Sequence, residues 1–325
     1  MDFERIVDII NGFEKKKVLI IGDVMLDVFA FGSVTRVSPE SPGVIFLEKE
    51  KKFTPGGAGN VAKNITALGG NVVLIGVVGN DEEAEKLLKV TKNNGIDPIF
   101  VKENRPTTVK ERFIECKYKH QMPIRRDKEV VWNISRKTEK EIIDIVKTID
   151  FDVIGLVDYR KGLLTKSLVK WIVDYGQKTE KKIIVDPKPD TNEYVKMFIG
   201  VDTIKPNEAE MSVMMNVMNT DKKEDMVKML NITYLVETKG EKGIAVYDKK
   251  GLRVQFPAFK DGEIVEISGA GDTVMAGLCL SVDANIEESA FISNIMGGLV
   301  VKKATTAVVE KGELIQSIKK VLENG

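Results

Sequence analysis

The chain has 325 residues, with 49 basic and 49 acidic side chains that cancel, and 43% of its residues are hydrophobic. This length fits one large α/β domain or two small ones around a substantial core, and the balanced charge excludes the strongly basic character of a nucleic-acid binder. Two distant cysteines, Cys116 and Cys279, leave neither a disulfide framework nor a zinc site, and a single histidine, His120, excludes any mechanism or metal centre that needs two.

Phe3, Ile6, Val7 and Ile10 recur at helical spacing among acidic residues, which reads as an amphipathic helix and not a signal peptide. No apolar run approaches membrane-spanning length, so a soluble protein without membrane contact is expected, and the two distant cysteines fit a reducing cytoplasm. Short apolar runs then follow at Val18–Ile21, Val72–Ile75, Val153–Val157, Ile183–Val185 and Tyr234–Val236, the pattern of strands buried on both faces of a parallel sheet. Helical stretches alternate with them, at residues 61–68, 82–92, 138–147 and 168–177, and after Gly269 at 270–281, 286–303 and 312–323. This predicts an α/β sandwich. Residues 29–50 and 99–126 break the alternation, because apolar and polar residues take turns there with few helix signals. They predict antiparallel strands of a small sheet inserted into one domain spanning 1–325, placed as a lid, or else extra edge strands of the main sheet.

The first core strand runs into Gly22-Asp23-Val24-Met25-Leu26-Asp27. Ligands gather at the C-terminal ends of strands in such sheets, so Asp23 and Asp27 are candidate partners for substrate hydroxyls, with Asp158 and Asp186 in the same post-strand position; Asp23 has the alternative of capping its turn. Pro55-Gly56-Gly57-Ala58-Gly59-Asn60 opens a helix, where close backbone approach and an amide side chain suit a sugar. Gly57-x-Gly59-x-x-Ala62 also fits a dinucleotide fingerprint, which keeps an NAD-dependent oxidoreductase in view, although the residues just upstream, Glu48 to Pro55, do not read as a buried strand. Asn207 and Glu210 lie on one helical face after Pro206, as a pair for hydrated magnesium or phosphate or as a capping box. Thr238-Lys239-Gly240-Glu241-Lys242-Gly243 is a turn between strands, either a plain hairpin or a nucleotide contact, and no GxxxxGK[ST] P-loop occurs. Last, Gly269-Ala270-Gly271-Asp272 precedes an apolar helix: two glycines free the N–H groups of a helix start for an anion, and Asp272 stands beside it as a base for an attacking hydroxyl. The plain alternative is a glycine loop whose Asp complements the helix dipole.

In this order and spacing, Asp27, Gly56-Gly57-Ala58-Gly59-Asn60 with Gly69 and Gly79, Asn207-x-x-Glu210, Thr238-x-Gly240-x-x-Gly243 and Gly269-Ala270-Gly271-Asp272 resemble the ribokinase-like, or PfkB, family of carbohydrate kinases over nearly the whole chain. The resemblance implies a ribokinase-like three-layer fold with a lid and an ATP- and Mg2+-dependent kinase. It implies Asp272 as base, with Gly269, Ala270 and Gly271 as anion hole. It further implies sugar binding by Asp27, Gly57 and Asn60, nucleotide contacts by Asn207, Thr238, Gly240, Gly243 and Asn294, and Mg2+ held through water by Asn207 and Glu210. A monovalent-cation site is common in the family, but Glu266-Ile267-Ser268 departs from the usual pattern beside it.

Within the family, the N-terminal half is similar to the kinases acting on D-glycero-D-manno-heptose 7-phosphate at the C1 hydroxyl, through Gly22 to Asp27, Arg36 to Pro42, Asp158-Tyr159-x-Lys161-Gly162 and Asp186-Pro187-Lys188. Arg160 and Gly43 depart from that group. A phosphorylated substrate needs cations, and Lys110, Arg112, Arg125, Arg126, Lys161 and Lys188 are candidates, each with the alternative of a solvated strand charge. A ribokinase-type or fructokinase-type sugar is the other substrate reading, and a kinase fold kept only for binding is a third function. Some heptose kinases are fused to a nucleotidyltransferase with a His-x-Gly-His motif, which a chain with one histidine is not expected to hold. Exposed lid strands need covering, so a homodimer through the lid is expected.

Overall fold

In a computed structural model of the chain, residues 1–40, 42–117, 120–303 and 307–324 are described. Ser41, part of the lid motif above, and the side chain of His120 lie outside them. The N-terminal amphipathic pattern forms α1 (Phe3–Asn11), with Ile6 and Ile10 buried and Asp2 capping its first turn. Next come β1 (Lys17–Gly22), β2 (Val24–Val37), β3 (Val44–Gly57), α2 (Ala58–Ala67), β4 (Asn71–Val78), α3 (Glu82–Asn93), β5 (Asp97–Lys102), β6 (Val109–Glu115), β7 (His120–Lys128), α4 (Arg136–Val146), β8 (Val153–Val157) and α5 (Lys166–Thr179). The second half comprises β9 (Lys182–Asp186), α6 (Asn192–Lys196), β10 (Thr203–Ile204), α7 (Glu208–Val217), α8 (Lys223–Met229), β11 (Tyr234–Thr238), β12 (Ile244–Asp248), β13 (Gly251–Phe256), α9 (Ala270–Leu280), α10 (Ile286–Val300) and α11 (Lys311–Asn324).

Nine strands make the central sheet in the order β13-β12-β11-β10-β9-β8-β1-β4-β5. The seven strands from β11 to β5 in that order are parallel, and β12 and β13 add an antiparallel edge. Because β1 is covered on both faces, its residues are apolar without alternation, and they divide between two cores: Val18 and Ile20 face the helices α1, α2 and α9 to α11, whereas Leu19 and Ile21 face α4 to α8. Burying each such side chain contributes about 1.5–3 kcal/mol, which fixes the strand's register in the sheet. The result is the α/β sandwich the alternation predicts.

A second sheet has the order β3-β2-β6-β7. Its pairing corrects two expectations. The segment 99–126 divides, since β5 joins the edge of the central sheet beside β4 and only β6 and β7 join the lid. The lid is also not wholly antiparallel, because β2 and β6 run parallel. β2 leaves the core one residue after β1, so Asp23 sits at the junction and Asp27 four residues into the lid. β3 returns to the core at Gly56 and Gly57 and runs directly into α2. Among the described residues, no helix is long and apolar enough to cross a membrane.

Candidate active site

Two helices converge below the lid, and both start without a side-chain cap. Side chains of Asp81, Ser135, Thr165, Thr191, Asn207 and Asn285 cap α3 to α7 and α10. By contrast, α2 begins on Gly57 at φ +59° and α9 on Gly269 at φ +87°, with no side-chain hydrogen bond to either first turn. First-turn N–H groups have no intrahelical acceptor, so the start of α9 keeps donors for an outside anion. A methyl group on Gly269 would lie 2.9 Å from Asn60 Nδ2, so this turn tolerates a side chain neither in backbone angle nor in space.

Asp272, in the first turn of α9, is buried. Its Oδ2 accepts a hydrogen bond from Asn60 Nδ2 at 2.7 Å and its Oδ1 one from the Tyr159 hydroxyl at 2.9 Å. Burial pushes the carboxyl up to about 6, opposed by these two donors and the Lys205 ammonium and assisted by the Asp27 charge. A carboxylate with that midpoint is ionised at neutral pH yet basic enough to take a proton. Asn60 itself is buried, and its Oδ1 has no partner, an acceptor left open on the lid side of Asp272.

Asp27 faces the same space. Arg112 Nη1 donates to its Oδ1 at 2.8 Å, and a methyl group on Gly56 would lie 2.1 Å from its Oδ2, so only glycine fits at Gly56. Asp23 is placed differently. Its carboxylate accepts the backbone N–H groups of Tyr159 and Lys161, both at 2.9 Å, so it fixes the 159–163 loop instead of presenting free oxygens. Asp158 accepts the Tyr194 hydroxyl at 2.6 Å, and burial together with the Asp23 charge raises its carboxyl above the usual range.

Strand alternation sorts the lid cations. Lys110 and Arg112 on β6 face Asp27, and their cross-strand partners on β7 are Asp127 and Arg125. Arg126 pairs with Glu111 on the opposite face, at 2.7 Å and with its side chain 71% exposed. Of the two adjacent candidates, Arg125 therefore lies on the face of Asp27 and Arg126 does not. Lys161 reaches this group through Glu129, at 2.8 Å, and the same Glu129 lies 3.8 Å from Lys110. Lys188 stands apart, ion-paired with Glu210 at 3.1 Å.

On the other side of Asp272 opens a cleft of about 910 Å³. Gly269 to Asp272, Asn207, Glu210, Thr238, Gly240, Gly243, Asn294, Asp158 and Lys188 all line it, whereas Asp27, Gly56, Gly57 and Asn60 do not. Asp272 and Tyr159 thus stand where two compartments meet. Asn207 and Glu210 form a full capping box on α7, each side chain bonded to the other's backbone N–H at 2.9 Å, which is the plainer of the two sequence readings; the same Glu210 carboxylate also faces the cleft. Asn294 Nδ2 donates to Pro257 O at 2.8 Å and holds the far wall. Among the described residues, no cluster of three or more His, Cys, Asp or Glu side chains forms a metal cage.

Sequence reasoning overlooked two residues here. Lys205, buried after β10, has its Nζ 3.0 Å from Asp186 Oδ1 and close beside Gly271, an ammonium next to the anion turn. Burial pushes Asp186 up to about 7, against the pull of Lys205. In the sequence, Tyr159 stands out only as part of Asp158-Tyr159-x-Lys161-Gly162. The dinucleotide reading of Gly57-x-Gly59 fails on context: the strand before it, β3, belongs to the lid and pairs antiparallel with β2, so no βαβ crevice forms there.

A sheet order of this kind, two glycine-started helices and a carboxylate between two compartments define a sugar kinase. A family model described as pfkB family carbohydrate kinase matches residues 15–311, and the chain belongs to that family. Among curated relatives, it is 33% identical over 319 residues to the bifunctional protein HldE of a Nitratiruptor species, covering 94% of this chain and 66% of that one. It is 35% identical over 310 residues to the HldE of Sulfurimonas denitrificans, covering 92% and 63%. The chain thus spans somewhat less than two thirds of the length of these relatives. Phosphofructokinase-2 from Escherichia coli in complex with potassium superposes with a TM-score of 0.77 at 18% identity, covering 95% of this chain and 99% of that one. Ribokinase from Thermotoga maritima gives 0.71 at 18% identity, covering 94% and 99%. These two share the fold.

Proposed function

We propose that the protein transfers the γ-phosphoryl group of ATP to the C1 hydroxyl of a heptose 7-phosphate, giving the 1,7-bisphosphate. The observation that carries the reading is Asp272, which lines the cleft and is held by Asn60 and Tyr159 beside the Asp27 end of the lid. ATP lies in the cleft against Thr238, Gly240, Gly243 and Asn294, with its γ-phosphate over the first turn of α9 and Lys205 nearby. The sugar lies under the lid between Asp27, Gly57 and Asn60. Asp272 takes the proton of the attacking hydroxyl as the new O–P bond forms and the bond to the β-phosphate oxygen breaks, releasing ADP. The cleft offers carboxylates singly and not as a cage, which fits a hydrated Mg2+ carried by the phosphates. Asn207 and Glu210 would hold it through water, where it neutralises phosphate charge. A monovalent cation beside Glu266–Ser268 belongs to the same reading, given the potassium complex of the phosphofructokinase-2.

The heptose 7-phosphate assignment draws support from the likeness to the HldE proteins and from Lys110, Arg112, Arg125 and Lys161 gathering near Asp27. One observation favours a second reading, an uncharged sugar of ribokinase or fructokinase type: these cations are already met by Asp27, Asp127 and Glu129. A phosphorylation screen comparing heptose 7-phosphate with ribose, fructose and fructose 6-phosphate decides between them, with the product's position read by 31P NMR. Turnover of none of these, with ATP still bound, would point to a fold kept for binding. The lid leaves Val37, Val44, Leu47 and Ile124 exposed, so pairing of two lids in a homodimer is part of the proposal. A monomer by light scattering at micromolar concentration would remove that part.

A further inference from the structure

Tyr159 is the half-buried residue that closes the seam between the two compartments, and its place is built from several sides. Its N–H is bonded to Asp23, at the end of β1. Its loop is gripped again two residues on, where Lys161 N–H meets the same Asp23 oxygen and Arg105 Nη1 donates to Lys161 O at 2.8 Å. Arg105 also donates to Trp132 O, in the segment that returns from the lid, so one guanidinium ties the loop to both lid connections. The turn at Gly57 packs against the ring, since a methyl group there would sit at ordinary van der Waals distance, 3.5 Å, from its Cδ2. From this frame the hydroxyl reaches Asp272 Oδ1.

We propose that Tyr159 is the positioning residue of the base, fixing the rotation of the Asp272 carboxylate and holding it in its ionised form. This rests on Asp272 being the base. Each carboxylate oxygen can accept two hydrogen bonds. Tyr159 takes one site on Oδ1 and Asn60 one on Oδ2, so one site on each oxygen remains for an acceptor hydroxyl. The groups facing Asp272 are Asn60 from α2, Tyr159 after β8, Asp186 at the end of β9, Lys205 after β10 and Asp27 from β2. Of these only Asn60, Tyr159 and Lys205 favour the charged carboxylate, while Asp27 and Asp186 oppose it. Burial and the adjoining carboxylates keep the Tyr159 hydroxyl well above its ordinary titration range, so it remains a donor at any working pH.

The test reads the base directly, without substrate. In protein labelled with 13C at the aspartate carboxyls, the Asp272 resonance is assigned by its disappearance in Asp272→Asn, then followed by NMR from pH 4.5 to 8. Tyr159→Phe keeps the ring and removes the hydroxyl; the Asp272 midpoint should rise by about one pH unit, the size of one lost charge-assisted donor. Tyr159→Leu, which removes ring and hydroxyl together, should move it the same way. With heptose 7-phosphate as acceptor, the acid limb of kcat in Tyr159→Phe should shift by a similar amount while the KM for ATP stays within twofold. An unmoved Asp272 midpoint in both variants, with Asp272→Asn inactive, would overturn this role for Tyr159 alone. Turnover retained by Asp272→Asn would overturn the assignment of the base on which it rests.

Discussion

Asn60 in the first turn of α2 and Asp272 in the first turn of α9 are 212 residues apart in sequence and joined by a buried hydrogen bond of 2.7 Å. The amide nitrogen of Asn60 is committed to the base, and its oxygen is buried without a partner. An unpaired buried acceptor costs about 1–3 kcal/mol, so its persistence at this seam argues for a ligand hydroxyl that completes it. Asn60→Ala should therefore act twice, lowering kcat about tenfold through the lost donor and raising the KM for the sugar, with the KM for ATP unchanged. Steady-state kinetics with each substrate varied in turn checks this, and an effect on ATP alone would contradict the placement of the sugar.

Asp272→Asn should lower kcat by about 10²–10⁴-fold, the range for a positioned general base, while ADP still stabilises the variant in a thermal-shift assay. Full turnover would remove Asp272 from the mechanism.

The same carboxyl makes a prediction about pH. Its midpoint of about 6 in the folded chain exceeds the ordinary 3.8, because burial outweighs its donors. The base works when ionised, so kcat should fall about tenfold per unit as pH drops below roughly 6. Stability runs the other way. A raised carboxyl binds its proton more tightly in the folded state, so its contribution is complete below the unfolded value of 3.8 and is lost as pH rises through about 6. The loss amounts to about 3 kcal/mol at most. Asp272→Asn lacks this loss, and its Tm should exceed the parent's at pH 8 but match it near pH 4. A Tm difference independent of pH would show that the buried charge is not the cause.

How far the sequence disclosed this site depends on whether a residue's signal is local. The core strands were legible because Val18 to Ile21 is apolar without a break, which only a strand covered on both faces permits. β5 was not, because at the sheet's edge Asp97–Lys102 is only partly covered and its apolar stretch is just Ile99-Phe100-Val101. Arg125 and Arg126 are adjacent, and which of them faces Asp27 depends on the register of β7 against β6, which shifts between Arg112 and Ile114. The glycine turns could be read because their backbone angles and close approaches admit no other residue. Tyr159 and Lys205 could not, since a tyrosine or a lysine after a strand announces no partner; theirs become visible only when α9 is brought beneath them.

Gly56→Ala tests the close approach beneath the lid. Its methyl group would fall 2.1 Å from Asp27 Oδ2, and Asp27 is buried and held by Arg112. Either the carboxylate turns away or the β3 return shifts, at a cost of about 1–3 kcal/mol in stability. We expect kcat/KM for the sugar to fall by about 100-fold or more, the equivalent of some 3 kcal/mol, with ADP binding by calorimetry unaffected. Unchanged sugar kinetics would show that Asp27 does not bind the acceptor.

The lid cations separate the two substrate readings by opposite signs. Lys110 lies 3.7 Å from Asp127 and 3.8 Å from Glu129, and Lys161 lies 2.8 Å from Glu129, so these carboxylates compete with any substrate phosphate for the same ammonium groups. If the acceptor is a sugar phosphate, Lys110→Ala removes a charge-assisted contact and should raise its KM about 10–100-fold. Glu129→Gln removes the competitor while keeping its shape, and should lower that KM several-fold. An uncharged sugar has nothing to gain from freed cations, so with it Glu129→Gln should leave KM unchanged or raise it by loosening the 159–163 loop. Michaelis constants of both variants for heptose 7-phosphate and for fructose, measured at fixed saturating ATP, give the sign, and a KM for heptose 7-phosphate unmoved by Lys110→Ala would end the phosphate assignment for this face of the lid.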